Sequence, residues 1–378
     1  MSLPAILKAC EADLPWLLTV IESLVRLESP STDKAAVDRC ATALALRLKE
    51  LGGAVSLIPN ELAGDYVRAE FGSGPRQLLV LGHMDTVWPV GQLERMPFRI
   101  DGDRLHGPGV YDMKAGIALA MLAIRVLFRL SIPLRHRVVF LLTSDEEVGS
   151  GTSRSLVEAE ADRSAAVLVV EPPLPGGAVK TARKGVGRFS IEAYGVAAHA
   201  GIEPERGANA ILEIAHQIVA LSGLQDPQRG VSVSVGVVSG GTRVNVVPEY
   251  GRAELDIRVG TMADADRMQE VLSTLRPRVP GVTLRVRGGI ERPPLERTEA
   301  VAELYERARA VAAEMGRDLA EGSTGGASDG NFTAARGVPT LDGLGAIGGG
   351  AHALDEHVIV EALPWRAALI AGLIARIE

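Results

Sequence analysis

Residues 137–150 read RVVFLLTSDEEVGS. Val138–Leu142 is an unbroken apolar run of strand length, and the chain turns acidic at Asp145, Glu146 and Glu147. A half-solvated strand would alternate, so this run predicts a strand buried on both faces. The pattern occurs twice more. Gln77–Leu81 runs into Gly82-His83-Met84-Asp85, and Ala165–Val170 ends directly in Glu171 before two prolines. Helical spacing fills the intervals. It covers 12–51, broken at Ser29-Pro30-Ser31, then 114–130 and 152–159. Continuous apolar strands between helices predict an α/β unit with a parallel sheet covered on both faces.

The texture changes after Pro175. Segments 185–195, 231–238 and 252–259 alternate apolar with polar residues, helical patterns lie at 208–222 and 266–275, and 283–287 closes the series. Strand–helix–strand–strand–helix–strand with one solvated sheet face predicts a small α+β, ferredoxin-like domain. Helical spacing returns at 301–315, an apolar strand at 338–341 and a last helix at 363–377. The expected organisation is therefore one domain of residues 1–181 and 292–378, interrupted by an inserted domain of 182–291.

Composition narrows the function classes. The chain has 378 residues, 47% hydrophobic and 23% charged, which is ordinary for a globular protein. Net charge is −7 and no long basic run occurs, which argues against nucleic acid as a partner. Two cysteines, Cys10 and Cys40, make no disulfide framework and fit a reducing compartment. No signal-peptide pattern opens the sequence, and no apolar run reaches the ~20 residues that span a bilayer, so a cytoplasmic protein without a membrane partner is expected. Glycine is in excess at 42 residues, as expected where strand ends make tight turns.

The strand ends carry the chemistry. In open α/β sheets, sites form at the carboxyl ends of the strands. His83 with Asp85 two residues on reads either as a plain turn or as a metal-binding imidazole oriented by a carboxylate. Asp112, after Gly107-Pro108-Gly109, is a helix N-cap or a ligand. Glu146-Glu147 is a solvated pair or two carboxylates whose repulsion a dication relieves. Glu171 is an exposed turn acid or a ligand on a rigid exit. His352, behind Gly348-Gly349-Gly350, is a surface histidine or a ligand. Together, two His, one Asp and two Glu suit Zn2+, with Mn2+ and Co2+ as alternatives. Five ligands exceed what one catalytic zinc takes and fit two ions, leaving one more acid as base.

Six segments in order, GHMDTV (82–87), GPGVYDMKAG (107–116), TSDEEVGS (143–150), VVEPP (169–173), AAHAG (197–201) and GGGAHALDE (348–356), resemble the M20 family of dinuclear metallopeptidases. Within it the chain looks most like the glutamate carboxypeptidase group, with acetylornithine deacetylase and succinyl-diaminopimelate desuccinylase as cousins. The resemblance implies a zinc-peptidase-like catalytic domain with a mixed, largely parallel sheet flanked by helices and two Zn2+ per chain. His83 and Glu171 would hold one ion, Glu147 and His352 the other, and Asp112 would bridge. Glu146 would be the general base toward a metal-bound water, and Asp85 would orient His83. The inserted domain would be a lid and dimerisation domain of a homodimer. His199 would reach the partner subunit's site and stabilise an oxyanion, and Asn245 would contact substrate. Arg258 and Arg292 would pair with a substrate carboxylate, the alternative for each being a surface ion pair. Thr324 and Gly326 lie in a loop, 323–329, that would offer backbone N–H groups to the same carboxylate. The glycine-rich segment 325–332 reads GGASDGNF and departs from the family's threonine–aspartate pattern, which bears on side-chain preference.

The resemblance thus implies hydrolysis of an amide next to a free carboxylate, in N-acyl amino acids, folate-like conjugates or small peptides, releasing a C-terminal amino acid of glutamate type. An N-acyl amino acid deacylase is the alternative. A non-catalytic binding homologue would be favoured by missing ligands, and none is missing. A dinuclear phosphoesterase would want Lys or Arg clamps beside the ligands, and the sequence has none there.

Overall fold

The computed structural model describes residues 2–377, so positions 1 and 378 of the expected first domain lie outside it. The chain forms two compact units. One comprises the chain up to Ala182 with Arg297–Thr324 and the segment from Ser328, and the other is Arg183–Glu296 with Gly325–Ala327. The return to the first unit therefore comes later than 292, and three residues of the 323–329 loop count with the second unit.

The first unit is built on strands β1 (Ala54–Ile58), β2 (Tyr66–Phe71), β3 (Gln77–His83), β4 (Arg137–Thr143) and β5 (Ser164–Val169). They lie in the order β1-β2-β4-β3-β5, and the short strand Thr340–Leu341 completes the far edge. The strands from β4 to Thr340–Leu341 run parallel, while β1 and β2 pair antiparallel with their neighbours. The sheet is thus mixed, with a parallel centre. Alternate side chains bury to opposite faces. Leu78, Val80, Phe140 and Leu168 enter a core shared with the helices Ala115–Arg129 and Leu363–Arg376. Leu79, Leu81, Leu141 and Val167 meet Val157 and Phe332 on the other face. Burial on both faces is why these strands read as unbroken apolar runs.

The second unit has strands β6 (Gly185–Tyr194), β7 (Ser232–Gly240), β8 (Tyr250–Val259) and β9 (Thr283–Arg292), with helices Ala210–Ser222 and Met262–Ser273. The antiparallel order is β7-β8-β6-β9. One face carries Ile191, Ala253, Leu255 and Ile257 into a core of its own with Ile214 and Met268 of the helices. Among the described residues no helix is long and apolar enough to cross a membrane.

Candidate metal centre

Sheet register brings the chemistry-bearing residues to one level. Leu81 pairs with Val169, so His83 lies level with Glu171 two residues further on. His83 itself pairs with Thr143, three residues before the turn Glu146–Val148. Asp112 stands before the helix Ala115–Arg129, whose N-cap is Lys114. Asp112 does not cap that helix. Its carboxylate instead turns to two histidines, with Oδ1 3.2 Å from His83 Nε2 and Oδ2 3.5 Å from His352 Nε2. His83 Nε2 lies 3.5 Å from Glu171 Oε1, and His352 Nε2 lies 3.3 Å from Glu147 Oε2. His352 adopts a left-handed backbone at φ 60° behind Gly350 at φ 75°. Histidine tolerates that region better than most side chains.

Asp85 organises the surroundings from a fully buried position. It accepts from Ser31 Oγ at 2.7 Å and from the amides of Glu147 at 3.2 Å and Glu146 at 3.4 Å. His83 Nδ1 lies 3.1 Å from the Asp85 carbonyl and 3.5 Å from its Oδ1. With Nδ1 engaged there, Nε2 is left facing Asp112 and Glu171. Asp145 fixes the other end of the turn, accepting from the Thr152 amide at 2.8 Å and hydroxyl at 2.7 Å.

The electrostatics are those of an anionic pocket with too few cations. Burial opposes charge on His83, yet its hydrogen bonds to Asp112, Asp85 and Glu171 raise it well above its usual value. Hydrogen bonds to Asp112 and Glu147 push His352 up to about 10. Burial opposes ionisation of Asp112, but the two histidines hold its carboxyl below the usual range. Burial raises Glu147 despite its bond to His352.

Dications fit this donor set. One atom each of His83, Asp112 and Glu147 lies within 4.8 Å of the others. Glu147 Oε1 is buried without any hydrogen-bond partner. An orphan carboxylate oxygen is costly in a protein interior unless a cation or a donor meets it. Nitrogen and oxygen donors in this mixture suit Zn2+, Mn2+ or Co2+.

The remaining expected residues fall elsewhere. His199 and Asn245 lie together in the second unit, both exposed, where Ala200 N–H donates to the Asn245 carbonyl at 3.0 Å. His199 Nδ1 accepts from the Gly201 amide at 3.1 Å, so the neutral ring carries its proton on Nε2. Arg258 is not held out for a substrate. Its guanidinium grips Asp256 at 2.7 and 2.9 Å and reaches the Gly325 carbonyl at 3.3 Å. The ion-pair alternative describes it, because residues two apart on a strand share a face. Arg292 is buried at the end of β9. Thr324 is half-buried and Gly326 exposed. Toward Arg183 and Arg258 the loop presents carbonyls rather than amides, Gly326 O accepting from Arg183 at 3.2 Å. Motif reading passes over Ser31, Asp145 and Glu356. Glu356 is the last residue of segment 348–356 and is buried.

Comparison with known proteins places the chain in a peptidase family. The model for "Peptidase family M20/M25/M40" matches residues 79–376. Carboxypeptidase G2 of Pseudomonas sp. (strain RS-16) is 29% identical over 375 residues, 97% of this chain and 90% of that protein. A succinyl-diaminopimelate desuccinylase of Leptothrix cholodnii is also 29% identical, over 92% of this chain and 94% of its own length. The crystal structure of aminopeptidase PepT from Bacillus cereus superposes with a TM-score of 0.78 at 22% identity, covering 96% of this chain and 98% of that one. A model spanning most of the sequence, over a fold that gathers histidines and carboxylates at the strand ends, assigns the chain to peptidase family M20/M25/M40.

Proposed function

We propose that this chain is a dinuclear metal-dependent hydrolase that cleaves an amide next to a free carboxylate. Its substrates are N-acyl amino acids, folate-like conjugates or small peptides, from which it releases a C-terminal amino acid of glutamate type. The observation that carries the reading is Asp112, with one carboxylate oxygen toward His83 and the other toward His352. His83 and Glu171 would hold one ion, Glu147 and His352 the other, and Asp112 would serve both. When bound, two divalent cations lower the pKa of a water and polarise the scissile carbonyl.

The protein's own groups do the rest. Glu146 takes the proton of the attacking water and delivers it to the leaving amine. Its neighbour Glu147 is committed to His352, which supports this division of labour between adjacent acids. Asp85 holds the His83 ring and the 146–147 amides in place. His199 offers its Nε2–H to the oxyanion, Asn245 contacts the substrate, and Arg292 pairs with its carboxylate. Thr324 and Gly326 border that subsite. The second unit serves as lid and dimerisation domain for a second copy of the chain. Exposed Ile211, Val219, Val237 and Val238 on its outer helix and edge strand support that partner.

Glu146→Ala tests the base. The variant is expected to retain two metal equivalents and to lose about 10²–10⁴-fold in kcat. Turnover near wild type would overturn the assignment. A second reading, an N-acyl amino acid deacylase of the acetylornithine or desuccinylase type, is favoured by the desuccinylase relative at equal identity. A hydrolysis screen of glutamyl conjugates against acetylated and succinylated amino acids, with Zn2+, Mn2+ and Co2+, separates the two.

A further inference from the structure

Glu356 is an acid outside the ligand set, and only 1% of its surface is exposed. A carboxylate leaves water only where donors replace its hydration. Four N–H groups do so here. One oxygen accepts from the amides of Tyr111 at 2.9 Å and Asp112 at 3.1 Å. The other accepts from the Gly109 amide at 2.9 Å and the Trp88 indole at 2.7 Å. Three amides of one tight loop thus converge on a single carboxylate, the arrangement of a backbone anion nest filled from within the chain. The loop is shaped for it. Gly109 sits at φ 68°, and a Cβ there would come within 2.4 Å of Thr86 Cγ2.

The consequence concerns Asp112. Its backbone, at φ −116° and ψ 92°, is not helical, so its amide has no helical acceptor. Glu356 supplies the acceptor, while the Asp112 side chain reaches both histidines. Glu356 is also bound to the His352 loop by two successive turns, Ala353 N–H to the Gly350 carbonyl at 2.9 Å and Glu356 N–H to the Ala353 carbonyl at 3.0 Å. One carboxylate therefore joins the segment carrying Asp112 to the segment carrying His352. We propose that Glu356 is a positioning residue, a strut that sets Asp112 and His352 at the separation two ions require. This rests on the ligand set proposed above.

Charge and shape are separable here. Glu356→Gln keeps the size of the side chain but replaces one accepting oxygen with an NH2 group. Either the Tyr111–Asp112 amides or the Gly109–Trp88 pair then faces another donor. Glu356→Asp keeps the charge and shortens the reach. Trp88→Phe removes one donor and leaves the carboxylate with its three amides.

The test titrates Co2+ alone into the metal-free full chain, with affinities from chelator competition, the visible cobalt spectrum as a probe of ligand geometry, and circular dichroism and thermal unfolding of the metal-free forms as fold controls. Wild type is expected to take two equivalents. Glu356→Gln is expected to lose about 10–100-fold in affinity for at least one ion, with an altered cobalt spectrum. Glu356→Asp should fall between the two, and Trp88→Phe should stay near wild type. A folded Glu356→Gln that binds both ions with wild-type affinity and spectrum overturns the proposal. If that variant does not fold, Glu356→Asp decides, and wild-type binding by it is the overturning result. A wild-type chain that takes up fewer than two ions overturns the ligand set, and this inference with it.

Discussion

Asp85 serves three segments. Its carbonyl at 3.1 Å and its Oδ1 at 3.5 Å face His83 Nδ1, and its carboxylate receives the amides of Glu146 and Glu147 and draws in Ser31 from the turn before the helix Lys34–Glu50. A ligand oriented in this way loses metal affinity when its orienter is removed. Asp85→Ala is expected to weaken metal binding by about 10–100-fold, read by chelator competition. A variant with unchanged affinity would show that the backbone carbonyl at position 85 holds His83 without the carboxylate. His199 is the opposite case. Exposed and outside both cores, it contributes nothing to packing. His199→Ala should leave the unfolding midpoint unchanged and lower kcat about 10²–10³-fold, the usual effect of deleting one oxyanion donor. An unaltered kcat would remove His199 from the mechanism.

Among the elements, the end of β5 leaves its neighbours little room. The Val170 carbonyl, next to Glu171, is flanked by two glycines. A Cβ on Gly116 would stand 2.0 Å from that oxygen, and one on Gly345 would stand 2.3 Å from it. Helix Ala115–Arg129 and the 343–345 loop can approach β5 this closely only without side chains. Gly116→Ala must push the helix or the strand end aside. It is expected to cost about 1–3 kcal/mol in denaturant unfolding and to weaken metal binding in the same protein. Loss of stability with metal affinity intact would mean that Glu171 is independent of this packing.

The same scale explains what could be read from sequence. Strands β3, β4 and β5 were legible because burial on both faces leaves them uniformly apolar. Strands β1 and β2 were not, because β1 is an exposed edge and β2 places Arg68 and Glu70 among its apolar residues. The acids and histidines were legible by type and by their place at strand ends. Their supports were harder to see. Whether Asp112 caps a helix depends on Glu356, 244 residues later in the chain. Arg258 reads either as a substrate clamp or as a surface ion pair, and only the strand geometry brings its guanidinium onto Asp256.

At the scale of the molecule, each unit has its own hydrophobic core, while every proposed ligand belongs to the first. A ligand that binds only the folded form adds stability by mass action, about 2.7 kcal/mol per site at a free concentration 100 times Kd. Chelation is therefore expected to lower the calorimetric transition of the first unit by roughly 5–10 °C for each site emptied. The transition of the second unit should not move. A uniform shift of the whole thermogram would mean that the two units unfold as one.

The pairing of Asp112 with His352 also has a meaning in time. A ribosome emits the chain from its N-terminus, and domains fold as their residues emerge. The segments bearing His83, Asp112, Glu147 and Glu171 precede the entire second unit, whereas His352 and Glu356 follow it. The second unit therefore has all of its residues except Gly325–Ala327 before the other unit can close its centre. On the proposed ligand set, a chain still being made lacks one ligand of its centre until residue 352 has emerged, and a product cut short before that residue is expected to be inert.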